Sequence, residues 1–250
     1  MPHAPLAGLR VLVTRPASDG ADDWAAALAA AGAKPIPYPT IVIEPPPSWQ
    51  PLDEALARLG DYDWVIFTSQ TAVALVLGRL PGGSFPPDMR AKLAAVGPST
   101  ARSIEAAGGA VSLVPADNRQ EGLAEALRSF PEGTRVLFPA AAGARTQLAE
   151  SLRARGCVVD VVTAYRAQPR ADLGPPPPFD VATFASPSAL NAYVAHVGRE
   201  SLAGKTVAVI GPVTAKEAVE RGIKPAIARR PDVAALILAI TESRSARGDT

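Results

Sequence analysis

Short apolar runs alternate along the chain with longer alanine-rich segments, and glycine, proline or hydroxyl residues stand at most of the junctions. The short runs are typical of strands buried on both faces, and the longer segments are typical of helices that cover a sheet. The predicted strands are residues 11–14, 41–43, 64–68, 93–96, 111–114, 135–138, 158–165, 181–184 and 207–210. The predicted helices are residues 19–31, 52–59, 72–80, 99–107, 121–129, 146–155, 189–197, 215–221 and 232–241. This alternation predicts an α/β fold in which right-handed crossovers connect parallel strands.

Three stretches of the chain occur twice, in matched pairs. Residues 63–72 resemble residues 180–189, residues 93–101 resemble residues 207–215, and residues 8–16 resemble residues 133–140. Each pair contains a strand and the turn that follows it. The repeat therefore predicts two similar lobes, each a parallel sheet flanked by helices, with a cleft between them that the hydroxyl-bearing turns of both lobes face.

The order of the repeated stretches leaves two arrangements open. Either successive stretches pair into lobes, or the middle of the chain forms one lobe and its two ends form the other. In the second arrangement the chain crosses between lobes near residues 38–43 and 162–168, and the two crossings pair as a two-stranded connector. The proline-rich stretch 35–47 excludes a helix and favours an extended linking strand at residues 41–43.

The amino-acid composition excludes several classes of function. Lys and Arg number 25 against 24 Asp and Glu, so no global field attracts nucleic acid or an anionic membrane. The one cysteine, Cys157, excludes an internal disulfide, fits a reducing compartment and is expected to be buried in a strand. No long apolar run predicts a membrane span and no signal-peptide pattern is present, so a cytoplasmic protein is expected. Residues 242–250 are polar and patternless and are predicted to be disordered.

The familiar catalytic motifs are missing. No glycine-rich dinucleotide fingerprint follows a strand, no Gly-x-Ser-x-Gly elbow occurs, and Cys and His do not cluster as metal ligands. We therefore expect no metal and no cofactor. A nucleotide-dependent transferase is disfavoured because phosphate-binding loops are lacking.

Hydroxyl residues follow four of the predicted strands, at the points where helices begin. Helix N-termini there present unpaired N–H groups and partial positive charge, which favours carboxylate or phosphate, and ligands of parallel sheets bind at this edge. The alternative interpretation is that these hydroxyl groups only cap helices. The predicted binding residues of these turns are Ser69, Thr71, Ser99, Thr100, Ser186, Ser188 and Thr214.

Four further residues complete the candidate site. Thr14 and Arg15 end the first strand, and Arg145 follows the matching later strand, so all three are predicted to bind acidic groups; either arginine is equally explained as a surface charge. Tyr165 lies on the second crossing segment, where a phenol is able to donate a proton while it stays neutral. A tyrosine that only packs the connector is the competing interpretation.

The chain closely resembles the uroporphyrinogen-III synthase family over nearly its whole length. The resemblance is carried by Phe67-Thr68-Ser69, Val96-Gly97-Pro98-Ser99-Thr100-Ala101, Ala164-Tyr165-Arg166, Phe184-Ala185-Ser186-Pro187-Ser188 and Ile210-Gly211-Pro212-Val213-Thr214-Ala215. It implies a discontinuous domain of residues 1–37 and 168–250, an inserted domain of residues 44–161, and connector strands at 38–43 and 162–167.

The resemblance also implies a reaction. The family takes a linear hydroxymethylbilane, a tetrapyrrole with many carboxylates, and expels its terminal hydroxyl as water to leave an azafulvene cation. Attack at the substituted carbon of ring D gives a spiro intermediate, and fragmentation and reclosure yield uroporphyrinogen III. Tyr165 matches the family's tyrosine and is implied to assist loss of hydroxide. A monomeric hydro-lyase is expected, with transient contact to the deaminase that forms the bilane as a further possibility.

The chain departs from the family pattern in places. Gln70-Thr71 stands where relatives commonly have Pro-Arg, Val213 stands where many have Thr, and Ala140 to Ala142 replace a stretch that often carries Arg and Gly. These changes affect individual binding residues more than the reaction. The main rival is a non-catalytic two-lobed binding protein that closes on an anionic ligand.

Overall fold

The computed structural model describes residues 4–16, 21–117 and 120–248. The chain divides into two compact units. Unit 1 is built from both ends of the chain, up to Ile43 and from Gln168 onward, and unit 2 is Glu44–Ala167. No helix among the described residues is long and apolar enough to cross a membrane.

The strands and helices alternate as the sequence predicts, so the α/β prediction is confirmed. In chain order the strands are β1 (Arg10–Val13), β2 (Lys34–Pro37), β3 (Ile41–Glu44), β4 (Trp64–Phe67), β5 (Lys92–Ala95), β6 (Val111–Leu113), β7 (Arg135–Ala141), β8 (Val158–Pro169), β9 (Val181–Phe184), β10 (Thr206–Val209) and β11 (Ala226–Ile227). The helices are α1 (Ala21–Ala30), α2 (Gln50–Ala57), α3 (Gln70–Leu77), α4 (Pro98–Ala106), α5 (Gln120–Ala126), α6 (Gln147–Arg153), α7 (Pro187–Val197), α8 (Pro212–Glu220) and α9 (Val233–Ser245).

Both sheets follow one plan. The sheet of unit 1 has the order β11-β10-β9-β1-β2, and the other sheet has the order β3-β8-β7-β4-β5-β6. Every pairing in the first sheet is parallel, as are β8–β7, β7–β4, β4–β5 and β5–β6 in the second. The repeated stretches of the sequence therefore occupy equivalent strands: β9 matches β4, β10 matches β5, and β1 matches β7.

Each sheet is covered on both faces. In unit 1, Leu12 packs in a cluster with residues of α7 and α8, whereas Val11 and Val13 pack with residues of α1 and α9. In unit 2, Val65 packs with α3 and α4, and Ile66 packs with α6 on the other face. Successive residues of a strand point to opposite faces, so apolar runs without alternation are what doubly covered strands require.

The strand β2 is a difference from the sequence prediction, which places no sheet strand at residues 34–37. It lies at the end of its sheet order, beside β1. Lys34 N–H and Tyr38 N–H donate to the carbonyls of Leu9 and Val13 at 2.7 and 2.8 Å. Pro35 and Pro37 alternate with these donors, so their missing N–H groups cost the ladder nothing, as an edge strand allows.

The C-terminal part of the chain is also more ordered than its composition predicts. Disorder is predicted from residue 242, yet α9 continues to Ser245. Arg247 then donates from its guanidinium to the Lys205 carbonyl at 3.3 Å and to the Thr206 hydroxyl. These contacts anchor a polar segment that has no apolar period of its own. Residues 249 and 250 lie outside the described residues.

Cys157 is buried one residue before β8, close to its predicted place in a strand. Burial raises the pKa of its thiol. A buried thiol with a raised pKa is a poor nucleophile, so the residue packs the core.

Candidate active site

Ser69 begins the helix that follows the central strand of unit 2. It has extended backbone angles, φ −155° and ψ 150°, and its Oγ accepts a hydrogen bond from Ala72 N–H at 3.1 Å. This is the helix cap that the alternative interpretation of the sequence predicts. Capping does not exclude a functional role, because it fixes a hydroxyl group at the carboxyl end of β4, the edge at which parallel sheets bind ligands.

Tyr165 reaches the same hydroxyl from β8, which lies two strands away in the sheet order. The Oη of Tyr165 lies 3.1 Å from the Oγ of Ser69, and either atom is able to donate. Two residues that the sequence identifies for separate reasons are therefore in direct contact within unit 2.

A β-bulge in β8 determines the direction in which the Tyr165 side chain points. Ala140 pairs with Thr163 but Ala141 pairs with Tyr165, so one extra residue, Ala164, is inserted in β8. The side chain of Ala164 packs in the cluster that includes α3 residues. In a regular strand the next side chain would point to the opposite face, yet Tyr165 packs against the same cluster. Bulges commonly re-aim a side chain near functional sites.

The turn after β5 lies next to this site. Gly97 precedes α4 in extended conformation, Thr100 in the first turn is buried at 3% exposure, and Ser99 is exposed. The Gln70 side-chain amide donates to the Ser99 carbonyl at 3.2 Å, which links the beginnings of α3 and α4. Thr71, the neighbour of Gln70 in α3, is also buried at 3% exposure.

The link through Gln70 is a feature that sequence reasoning missed. From the sequence, Gln70 only marks the loss of a cationic side chain relative to the family pattern. The contact joins residues 29 positions apart, and no local periodicity signals such a pair. A matched pair of strand-to-helix turns was the only available indication that the two turns are neighbours.

In unit 1 the turn after β9 repeats the geometry of Ser69. Ser186 has φ −152° and ψ 156°, and its Oγ accepts from Ala189 N–H at 3.2 Å. Ser188, in the first turn of α7, is exposed. The predicted binding hydroxyls of this turn therefore differ: one caps the helix and the other faces outward.

The turn after β10 likewise repeats the turn after β5. Gly211 is extended, Pro212 opens α8, and Thr214 is buried at 2% exposure, like Thr100 in unit 2. Val213 is 41% exposed at the first turn, so this predicted departure from the family pattern presents an apolar group. Such a group offers no hydrogen bond to a carboxylate.

The structure does not support Thr14 as a binding residue. Its side chain is completely buried, and its hydroxyl donates to the Thr183 carbonyl at 2.7 Å. The Thr183 hydroxyl in turn donates to the Leu12 carbonyl at 2.8 Å. Because its one proton is used between β1 and β9, Thr14 joins two strands and presents nothing to a ligand in this structure.

The two arginines have different surroundings. The guanidinium of Arg15 lies over the ring of Trp24, 4.7 Å from its centroid, which fixes a half-buried cation beside the end of β1. Arg145 is exposed and pairs with Glu121 at 3.2 Å in unit 2. An exposed pair of this kind contributes little stability and exchanges readily with a ligand carboxylate.

A cavity elsewhere in unit 1 provides a contrast. It has a volume of about 850 Å³ and lies at the amino ends of β10 and β11, with Lys205, Lys224, Ile227 and Arg247 among its lining residues. Its lining includes none of the predicted binding residues. Ligand crevices of open parallel sheets form at the opposite edge, where strands end, so this cavity is not the candidate active site.

The fold and the strand ends together define a class of protein: a repeated parallel α/β unit with hydroxyl groups and helix N-termini at the carboxyl edge of each sheet. A family model described as uroporphyrinogen-III synthase HemD matches residues 22–238. The chain belongs to the uroporphyrinogen-III synthase family.

Curated relatives agree with this assignment. The chain is 39% identical over 170 residues to a uroporphyrinogen-III synthase of Synechococcus elongatus, a match that covers 67% of this chain and 64% of the relative. It is 32% identical over 249 residues to a putative uroporphyrinogen-III synthase of Methanothermobacter thermautotrophicus, covering 92% of this chain and 97% of the relative.

Solved structures show the same fold at lower identity. A mutant uroporphyrinogen III synthase of Thermus thermophilus superposes with a TM-score of 0.64 at 19% identity, covering 97% of this chain and all of the other. The uroporphyrinogen-III synthetase of Helicobacter pylori superposes with a TM-score of 0.61 at 19% identity, covering 94% and 99%. At this identity the likeness supports the fold alone.

Proposed function

We propose that this chain catalyses the dehydrative cyclisation of linear hydroxymethylbilane to uroporphyrinogen III, with inversion of ring D, in tetrapyrrole biosynthesis. The observation that carries the proposal is the contact of 3.1 Å between Tyr165 Oη and Ser69 Oγ at the beginning of α3, in a chain that belongs to the family with this activity.

The proposed substrate carries many carboxylates and a single leaving hydroxyl, and each unit offers groups for carboxylates while Tyr165 of unit 2 offers a proton for the hydroxyl. The helices α3, α4, α7 and α8 all begin at the carboxyl edges of their sheets, where first-turn N–H groups and the helix dipoles favour anions. The balanced net charge of +1 supplies no general attraction for anions. Carboxylate binding would therefore depend on these local groups and on Arg15 and Arg145.

Tyr165 is the proposed proton donor. A tyrosine hydroxyl is ordinarily protonated at neutral pH, so it has a proton to give to the departing hydroxyl, which leaves as water. Cyclisation of the bilane occurs without an enzyme but yields the uninverted type I isomer. The main contribution of the protein would then be to hold the chain in the geometry for spiro attack, a positioning effect.

The deciding experiment is the isomer ratio formed when the purified protein meets freshly generated hydroxymethylbilane. The products are oxidised to porphyrins and separated by chromatography. Predominantly type III product is the expected result. Type I product alone, formed at the spontaneous rate, would contradict the proposal and leave a protein that only binds an anionic ligand.

Three finer expectations stay predictions from the sequence and the family: a cytoplasmic location, a monomeric state, and transient contact with the deaminase that supplies the bilane. Direct transfer of the bilane from the deaminase to this protein would suit a substrate that cyclises without an enzyme. Light scattering of the purified chain checks the monomer.

A further inference from the structure

Ser69 is engaged by two groups at once. Its Oγ accepts the N–H of Ala72 at 3.1 Å and lies 3.1 Å from the phenolic oxygen of Tyr165. A serine that only caps a helix needs the first contact and not the second. The second contact connects the N-terminus of α3 to the proposed proton donor.

The direction of the second hydrogen bond follows from the first. The N-terminus of a helix carries partial positive charge, which attracts the oxygen of a capping hydroxyl and repels its proton. With Ala72 N–H donating to Oγ, the Ser69 proton is directed away from α3. The phenolic oxygen of Tyr165 lies within hydrogen-bond distance and is able to accept this proton.

We infer that Ser69 is a positioning residue that donates its hydroxyl proton to Tyr165 Oη and so orients the phenol to give its own proton to the ligand. The inference rests on the proposed function of Tyr165. It changes the predicted role of Ser69, which acts through Tyr165 instead of binding a carboxylate of the substrate itself.

The proton balance is as follows. Tyr165 transfers its proton to the departing hydroxyl, the carbon–oxygen bond breaks and water leaves. The resulting phenolate oxygen accepts the hydrogen bond of Ser69, which stabilises its negative charge. Ring closure later releases a proton from a pyrrole carbon, and that proton restores the phenol. One hydroxyl and one hydrogen leave the bilane, which matches the loss of one water.

The chain contains a matched control for the capping role. Ser186 caps α7 with the same geometry, accepting Ala189 N–H at 3.2 Å. The phenols of unit 1 are engaged elsewhere, because Tyr38 donates to the Gly174 carbonyl and Tyr193 shares a hydrogen bond with Ser201. Substitution of Ser186 thus removes a cap of the same kind without removing a hydrogen bond to a phenol.

The first test compares the activities of Ser69→Gly and Ser69→Thr. Glycine caps helices nearly as well as serine, so Ser69→Gly removes the hydroxyl while retaining most of the helix stability. We expect Ser69→Gly to lower kcat about tenfold with little change in KM. Ser69→Thr retains a hydroxyl and is expected to restore most of kcat. A raised KM with unchanged kcat would instead make Ser69 a substrate-binding residue and overturn the inference.

The second test needs no substrate. Tyrosine labelled with ¹³C at Cζ is titrated by NMR in each variant, and Tyr165→Phe assigns the Tyr165 signal. Burial raises the pKa of Tyr38 and Tyr193. Burial and the hydrogen bond to Asp160 raise the pKa of Tyr62 to about 12. The signals of these three tyrosines therefore change little at lower pH, where they do not obscure the titration of Tyr165.

Loss of the donated hydrogen bond in Ser69→Gly is expected to move the titration of Tyr165 upward by about one pH unit, and Ser186→Gly is expected to leave it in place. An unmoved or lowered titration in Ser69→Gly would overturn the inference. Because this readout is independent of turnover, it holds even if the protein yields only type I product. A failure of the proposed hydrogen bond from Ser69 to Tyr165 is thereby distinguished from a failure of the proposed function.

Discussion

Units 1 and 2 share a strand order, but they use the end of their central strand differently. In both units a serine at this point caps the following helix, Ser186 in unit 1 and Ser69 in unit 2. In unit 2 a bulge in β8 brings Tyr165 to the capping hydroxyl. In unit 1 the strand beside β1 is the short, proline-rich β2, and the tyrosine that follows it, Tyr38, donates to the Gly174 carbonyl.

The difference shows how a repeated fold gives rise to one specialised site. The cap is a requirement of the strand–helix turn, so both copies retain it. The phenol depends on one inserted residue in β8, which lies two strands from β4 in the sheet. A small change in register therefore adds chemistry to one copy without altering the shared architecture.

The largest expected effect concerns the cores behind these strand ends. Ile66 on β4 and Thr183 on β9 occupy matching positions, and both are completely buried. Ile66→Ala is expected to destabilise unit 2 by about 3 kcal/mol, because it leaves a cavity in the core. Thr183→Ala is expected to cost unit 1 about 1.5 kcal/mol, since it removes fewer carbons and one hydrogen bond, to Leu12.

Hydrogen exchange resolves the two units in the intact chain. Amides of β4 should lose protection in Ile66→Ala, and amides of β9 should lose less in Thr183→Ala. Equal losses would show that the buried hydroxyl of unit 1 stabilises its sheet as strongly as the apolar side chain of unit 2.

The next effect tests the phenol itself. Tyr165→Phe is expected to lower turnover at least tenfold, about 1.4 kcal/mol of barrier, because the proton donor is lost. Folding should stay intact, since the ring is retained against its core cluster. The rate of type III formation and the circular dichroism spectrum measure the two effects. An unchanged rate would remove Tyr165 from the mechanism and make the two units equivalent at their strand ends.

The smallest expected effect concerns the amino ends of the same strands. The Arg10 guanidinium holds the pKa of Asp180 at about 2, with Arg10 Nε and Nη2 donating to the carboxylate at 3.0 and 2.9 Å. In the matching pair of unit 2, the Asp63 carboxylate accepts the backbone N–H of Arg135 at 2.8 Å, and the Arg135 guanidinium lies over the Tyr62 ring.

A carboxyl group whose pKa is lower in the folded state stabilises that state at pH values above its pKa in the unfolded chain, near 3.9. This stability is lost as the pH falls through the pKa of the folded state. Unit 1 should therefore lose stability between about pH 4 and pH 2, and Asp180→Asn should flatten that dependence. Trp24 is the one tryptophan in the unit 1 sequence, so its fluorescence follows denaturation of this unit once Trp49 and Trp64 are replaced by phenylalanine. An unaltered acid dependence in Asp180→Asn would show that the bidentate pair is too exposed to matter.

Much of the candidate site was predictable from local patterns. A strand that ends in Ser or Thr before a helix identifies Ser69 and Ser186 directly, because capping is a property of a few adjacent residues. Thr14 has a similar local pattern, but its hydroxyl donates to the Thr183 carbonyl on the neighbouring strand. Whether a hydroxyl faces a neighbouring strand or a ligand depends on residues far along the chain.

The sequence by itself determined the fold class, the repeat and most helix and strand positions, because each depends on apolar periodicity and turn residues within short windows. The tertiary structure alone decided that β1 pairs with β9, that β2 forms an edge strand, and that α9 extends to Ser245. It also decided that Tyr165 meets Ser69, through a bulge between β7 and β8. These features join residues distant in the chain, and register and long-range pairing leave no periodic signal in the sequence.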